Sequence, residues 1–162
     1  MPAAFSAAGR KRWKMWSRRT ILLSAVAVAC FAMALPARAA DPTGVWLTED
    51  GEARVRIYRC DQDLCGTVLS LKEPNEPATG KPKLDKFNQD KSKRARPIVG
   101  IELMSGLKPT ATPDQWEGSL YNPEDGDTYK GILTVESLLT LKLQGCVLGG
   151  LICKSETWKR TN

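Results

Sequence analysis

Apolar and polar residues alternate with a period of two along most of the chain after residue 40, and no segment there keeps a helical period for three turns. Ala53, Val55 and Ile57, for example, alternate with charged or polar neighbours, a pattern typical of a strand with one buried face. Turn residues separate the alternating segments, most strongly at 122–127, where Pro123 and Gly126 lie. The pattern predicts strands at residues 44–47, 53–58, 65–71, 97–103, 116–121, 128–135, 139–144 and 151–160.

Short sequential hairpins join most of these strands. Such connectivity favours an antiparallel up-and-down barrel, because closing the sheet removes its exposed edges. We therefore predict an all-β domain, a barrel of about eight strands, spanning residues 40–162.

The first 39 residues have the three regions of a signal peptide. Basic residues cluster from Arg10 to Arg19, an apolar core occupies residues 21–35, and small residues precede Ala40 at the positions that a signal peptidase reads. The core is shorter than the roughly 20 residues of a membrane-spanning helix. We predict cleavage near Ala39 and Ala40, no stable membrane anchor afterwards, and a periplasmic or secreted protein. Arg18 and Arg19 leave the general secretory and twin-arginine routes both open, and we favour the first.

Removing this segment changes the charge of the protein. Seven of the 24 basic residues lie in the first 39 positions and all 18 acidic residues lie after them, so the remainder carries 17 positive and 18 negative charges, a net of −1. A nearly neutral domain gives no reason to expect nucleic acid as a partner.

Four cysteines follow the signal: Cys60, Cys65, Cys146 and Cys153. An even number in an exported chain indicates disulfides, with three connectivities, and we favour local pairing because each pair flanks a turn. The alternative is a zinc site, but the spacings are loose for one and the compartment is oxidising. The sequence therefore predicts two local disulfides and no metal.

Residues 73–95 interrupt the strand pattern with prolines and few apolar residues. Seven basic residues lie between Lys81 and Arg96, against Asp85 and Asp90. Such a run either binds an anion or is a solvated connection, and charge runs are more often the second. We expect a long polar loop within the domain.

Several motifs resemble one bacterial family. Gly44-Val45-Trp46, Arg96-Pro97, Trp116-Glu117-Gly118, the segment from Tyr121 to Tyr129 and Glu156-Thr157-Trp158-Lys159-Arg160 are similar to an uncharacterised exported family catalogued as domain of unknown function 2147. The resemblance covers essentially the whole domain. It implies a calycin- or lipocalin-like barrel and no established activity.

A second resemblance is to the lipocalins, which open with Gly-x-Trp and pack a basic side chain from the last strand over that indole. Trp46 and Arg160 occupy the corresponding ends of this domain. We expect Arg160 to stack on Trp46 and plug one end of the barrel through a cation–π contact.

Histidine is absent, which excludes serine–histidine–aspartate and cysteine–histidine catalysis and every histidine-ligated metal. Oxidised cysteines are poor nucleophiles, and no phosphate-cradling glycine loop or dinucleotide fingerprint is present. We predict no cofactor and no enzymatic activity. The acidic residues near 117–127 would support an enzymatic function only if two of them formed a buried pair in a cleft.

Two functions remain. The first, which the sequence favours, is a barrel that binds a small apolar or amphipathic ligand. The second is an envelope structural or protein-interaction module with a filled barrel. An apolar cavity of roughly 300 Å³ or more would favour the first and a packed interior the second. The candidate ligand-binding residues are aromatic side chains, which otherwise form core, and two arginines that could meet a carboxylate: Trp46, Arg54, Arg56, Trp116, Tyr121, Tyr129 and Trp158.

Overall fold

A computed structural model describes residues 40–161, so the predicted signal peptide lies outside the described residues. Eight antiparallel strands form one closed barrel in sequence order, and β1 pairs with both β2 and β8. The strands are β1 (Gly44–Leu47), β2 (Ala53–Cys60), β3 (Asp63–Leu71), β4 (Glu102–Pro109), β5 (Gln115–Tyr121), β6 (Thr128–Val135), β7 (Thr140–Val147) and β8 (Ile152–Thr161). The predicted fold class is confirmed.

The fourth strand is the one whose position the sequence predicted least well. Strand signals begin at residue 97, but β4 begins at Glu102. Gly100 has a φ of 94°, and the amide of Ile101 donates to the carbonyl of Ile98, so the chain turns there instead of extending. Ile101 is nevertheless buried, which explains why its neighbourhood reads as a strand.

The connections divide between two ends of the barrel. End A carries residues 40–43 and the β2–β3, β4–β5 and β6–β7 turns, whereas end B carries the β1–β2, β3–β4, β5–β6 and β7–β8 connections. Both predicted disulfides form, Cys60–Cys65 at the β2–β3 turn and Cys146–Cys153 at the base of the β7–β8 hairpin. They therefore staple hairpins at opposite ends.

Inward-facing side chains form one core through the barrel. Its members are less than one-tenth exposed and include all three tryptophans of the domain: Trp46, Val55, Ile57, Leu64, Met104, Leu107, Trp116, Leu133, Val135, Leu141, Leu143 and Trp158. Glycines on the inner face are covered by larger neighbours, since a Cβ on Gly66 would overlap Met104 and one on Gly131 would lie 3.0 Å from Leu120. Large side chains thus pack over small ones, and the interior is filled.

Within residues 40–161, no helix is long and apolar enough to cross a bilayer.

Candidate functional site

End A is closed by the contact between the first and last strands. The guanidinium carbon of Arg160 lies 4.2 Å from the centroid of the Trp46 ring, so the expected cation–π contact is present. The indole Nε1 of Trp46 donates to the carbonyl of Pro42 at 2.8 Å. Arg160 also donates through its three guanidinium nitrogens to the carbonyls of Leu138, Thr43 and Asp41. One arginine therefore ties three segments of the chain over one tryptophan.

Gly44 makes room for that arginine. Its φ is 136°, and a Cβ at this position would overlap a terminal guanidinium nitrogen of Arg160. Glycine is the residue that tolerates both the positive φ and the close approach. Packing against Arg160 therefore explains why a glycine precedes Val45-Trp46 at end A.

The interior does not present the candidate tryptophans to a ligand. Trp46, Trp116 and Trp158 are 0%, 8% and 3% exposed and belong to the core described above. Trp158 donates its indole hydrogen to Glu156 at 3.1 Å. Their burial supports the alternative interpretation, in which these aromatic residues pack the core.

Arg54 and Arg56 lie on the outside of the barrel. Val55 and Ile57 on the same strand are buried, and strict alternation turns the two arginines toward solvent. Neither side chain points into the interior, and contact of one of them with a ligand carboxylate stays a prediction.

The two candidate tyrosines belong to end B. Tyr129 donates its hydroxyl to Asp125 within the β5–β6 turn at 2.7 Å, and this bond, followed by desolvation, raises the pKa of Tyr129. Tyr121, at the end of β5, points instead to the β3–β4 loop. The two tyrosines thus flank the β5–β6 turn, but only Tyr129 bonds within it.

The β3–β4 loop (residues 72–101) is folded around a buried carboxylate. Asp85 is 0% exposed and accepts hydrogen bonds from the Tyr121 hydroxyl at 2.5 Å, from Asn88 Nδ2 at 2.8 Å and from Arg96 Nε at 2.9 Å. A terminal nitrogen of Arg96 also lies 2.9 Å from the carboxylate. We call these four residues the loop latch.

Two features strengthen the loop latch. Asn88 bridges Asp85 and Tyr121 by donating to both. Arg96 lies over the Tyr121 ring at 5.8 Å as well as pairing with Asp85. Burial, then the hydrogen bond to the Asp85 carboxylate, raises the pKa of Tyr121 above its ordinary value. The interpretation of residues 73–95 as a solvated connection is therefore wrong at Asp85 and Asn88, because paired polar groups can be buried.

The loop also contacts the β5–β6 turn directly. Gly126 is buried, has a φ of 78°, and leaves no space for a Cβ beside the carbonyl of Phe87. Gln89 donates to Asp127 at 3.2 Å in the same region. The Asn-Pro-Glu-Asp-Gly-Asp segment, read from sequence as a turn, is thus also a docking surface for the loop.

A cleft of about 350 Å³ lies between the loop and that turn. Apolar side chains form part of its wall and charged ones surround them: Leu84, Phe87, Ile98 and Pro123 with Glu76, Lys83, Lys86 and Glu124. Phe87 is 60% exposed, although it is a large aromatic residue. A second cleft of about 240 Å³ lies between the β1–β2 turn and the end of β3. Neither cleft is lined by the core tryptophans.

The loop is strongly basic for this domain. Residues 72–101 contain eight basic and four acidic residues, a net of +4 in a domain whose total is −1. Lys86 pairs with Glu76 at 2.6 Å and Lys93 with Asp90 at 3.6 Å, while Lys83 at the cleft takes part in no ion pair among residues 40–161. Charge and apolar surface therefore meet at the same cleft.

Sequence reasoning missed the loop latch because its acid lies in a segment with no strand pattern. Arg96-Pro97 and the segment beginning at Tyr121 carried the family resemblance, and these are two of the partners of Asp85. The signal was therefore present as motif similarity, but nothing in the local pattern linked residues 85 and 121. In the described part of the chain, no cluster of three acidic or cysteine side chains could hold a metal ion.

Comparison with known families decides the identity of the domain. The model of a family described as an uncharacterized protein conserved in bacteria (DUF2147) matches residues 44–160, from β1 to the end of β8. The chain belongs to the DUF2147 family. No curated protein matches the chain significantly.

The fold of this DUF2147 protein is similar to that of a solved structure. Protein HP1028 of Helicobacter pylori, described as belonging to the lipocalin family, superposes with a TM-score of 0.63 and 23% identity. The match covers 75% of this chain and 84% of HP1028. This likeness shows a lipocalin-like fold for the DUF2147 domain.

Proposed function

We propose that this protein is an exported, non-catalytic interaction module that binds a partner on its outer surface, at the cleft beside the β3–β4 loop. The observation that carries the proposal is that buried side chains pack the barrel interior, while a cleft of about 350 Å³ lies outside it. The proposal includes export through a cleaved signal, to the periplasm or beyond, which the two disulfides support.

The cleft indicates the chemistry of the partner. Phe87 offers exposed apolar surface, which on a soluble domain often marks an interaction site. Two lysines and two glutamates line the cleft and balance in charge, so the net charge of +4 on the surrounding loop is what favours acidic groups on the partner. We therefore expect a polypeptide segment that carries acidic side chains next to an apolar anchor.

The loop latch supports this role because it holds the cleft in one shape. Asp85, Asn88, Tyr121 and Arg96 satisfy one another under the loop, so the partner meets a preformed surface. Preformed surfaces bind more tightly because less ordering is needed on association.

The proposal is tested with random peptides displayed on phage. Peptides selected on the exported protein should be enriched in aspartate, glutamate and an apolar residue, and their binding should weaken as salt increases. Phe87→Ser and Lys83→Glu should each weaken binding about tenfold, whereas Arg56→Glu, an exposed charge on β2, should not. Peptides without acidic enrichment, or equal binding to Phe87→Ser, would refute the proposal.

A small apolar ligand inside the barrel is the second candidate, and the lipocalin-like fold favours it. A ligand of that kind would have to displace core side chains such as Leu133 and Met104, which are fully buried. The packed interior is why the external site is preferred here, although the sequence alone favoured a ligand inside.

A further inference from the structure

The β7–β8 connection ends in an exposed apolar tip, which we define as residues 147–152. Its sequence is Val-Leu-Gly-Gly-Leu-Ile, without one polar side chain. Val147, Leu148, Leu151 and Ile152 are 42%, 69%, 85% and 60% exposed. Four neighbouring apolar side chains exposed to water indicate an interaction surface for a protein or a membrane.

The apolar tip lies at the end of a hairpin that outreaches β1. The β6–β7 pairing ends at Lys130 and Cys146, and β8 pairs with β1 only from Lys159 onward. Residues 152–158 of β8 therefore pair with β7 alone, and on the side of β1 the hairpin extends past its neighbour at end B. The Cys146–Cys153 disulfide holds the two strands together just below the tip.

The backbone at the tip is unusual for the side chain it carries. Leu148 has a φ of 51°, in the left-handed region that favours glycine or asparagine, and Gly149 and Gly150 follow at 70° and 100°. A leucine is unfavourable in this backbone conformation, so the geometry of the turn does not explain why position 148 carries an apolar side chain.

We propose that the apolar tip inserts into the interfacial region of a lipid bilayer and binds the domain reversibly to a membrane surface. The tip is a narrow projection, and it lacks the tryptophan, tyrosine and arginine that dominate protein–protein hot spots, where leucine and valine are under-represented. Binding at the bilayer interface instead scales with the apolar area that is buried there, which four exposed aliphatic side chains supply.

Two lysines stand behind the tip. Lys130 Nζ lies 4.0 Å from where a Cβ on Gly150 would be, and Lys154 is 86% exposed one residue past the disulfide. Both would lie near the lipid phosphates when the tip is inserted. Lys130 also pairs with Glu117 at 2.8 Å, and Lys154 lies 3.8 Å from Glu156.

The adjacent turns at end B are acidic. They carry Glu49, Asp50, Glu52, Glu124, Asp125 and Asp127. These charges oppose attraction to an anionic surface and keep the rest of end B in water. Binding should therefore depend on the apolar side chains and only weakly on the anionic fraction of the lipid, unlike binding through the basic β3–β4 loop.

The experiment uses the exported protein, with its intact mass measured to establish removal of residues 1–39. It is sedimented with vesicles of phosphatidylcholine alone and with vesicles that also contain phosphatidylglycerol. We expect binding to both, within about threefold of each other. Leu148→Asn with Leu151→Asn should weaken binding about tenfold or more, and asparagine suits the backbone at 148.

The β6–β7 turn provides the matched control. Leu138 and Leu139 are 76% and 66% exposed at end A, so their double asparagine variant removes similar apolar surface and should bind vesicles as the unmodified protein does. As a second readout, a tryptophan at Leu151 should shift its emission to the blue and be quenched by brominated lipid. No binding to either vesicle, binding only to anionic vesicles, or equal losses in both double variants would overturn the proposal.

Discussion

Replacing Asp85 by alanine tests whether the loop latch holds the β3–β4 loop. The carboxylate accepts from Tyr121, Asn88 and Arg96, and it is 0% exposed. Removing one partner of a buried ion pair costs about 3–5 kcal/mol. The Arg96 side chain is 38% exposed and can return to water, so the lower part of that range applies. We expect the free energy of unfolding to fall by about 3 kcal/mol.

The assay must distinguish loop release from general destabilisation. Hydrogen exchange followed by mass spectrometry should show faster exchange in residues 83–98 of Asp85→Ala at denaturant concentrations where the strands remain protected. Asp90→Asn is the control in the same loop, because Asp90 is exposed and its lysine lies 3.6 Å away; its exchange should not change. Unchanged exchange in residues 83–98 of Asp85→Ala, or equal effects of both substitutions, would refute the assignment.

Two further predictions concern end A. Gly44→Ala should lower the free energy of unfolding, measured in urea, by about 2 kcal/mol, because the added Cβ meets Arg160. In an Arg160→Ala background the backbone cost at a φ of 136° stays and the overlap is gone, so the loss should be smaller, and an equal loss there would contradict the packing reason. The amide nitrogen of Ala40 lies 2.7 Å from Asp114 and would become a charged terminus after cleavage at Ala39. Asp114→Asn should therefore lower the free energy of unfolding of the processed protein by about 1 kcal/mol. The loss should be smaller in a protein with one extra residue before Ala40. Equal losses in these two proteins would contradict a pairing between the charged amino terminus and Asp114.

The barrel could be predicted from sequence because its strands keep a strict alternation with turn residues between them. Residues 44–47 and 128–135 were placed with the bounds that the structure has. The contact between Trp46 and Arg160 was also predictable, since it joins the two ends of a recognisable motif pair. Local pattern and motif position were sufficient for both.

The candidate site was predicted less well, for a physical reason. Arg54 and Arg56 were selected by residue type, but alternation with Val55 and Ile57 had already placed them outside. Asp85 becomes a buried acid only because Tyr121 and Arg96, 36 and 11 residues away, converge on it. Such long-range pairing leaves no periodic signal in the loop that carries the acid.

The central claim is that the barrel is filled by its own side chains and that binding takes place outside it. Native mass spectrometry of protein recovered from the export compartment tests this most directly. We expect the mass of the processed chain with two disulfides and no bound small molecule. A small molecule bound non-covalently inside the barrel would contradict the claim. Such a molecule would stay bound to the Phe87→Ser variant, and it would be lost from a folded variant in which tryptophan replaces Leu133 of the core.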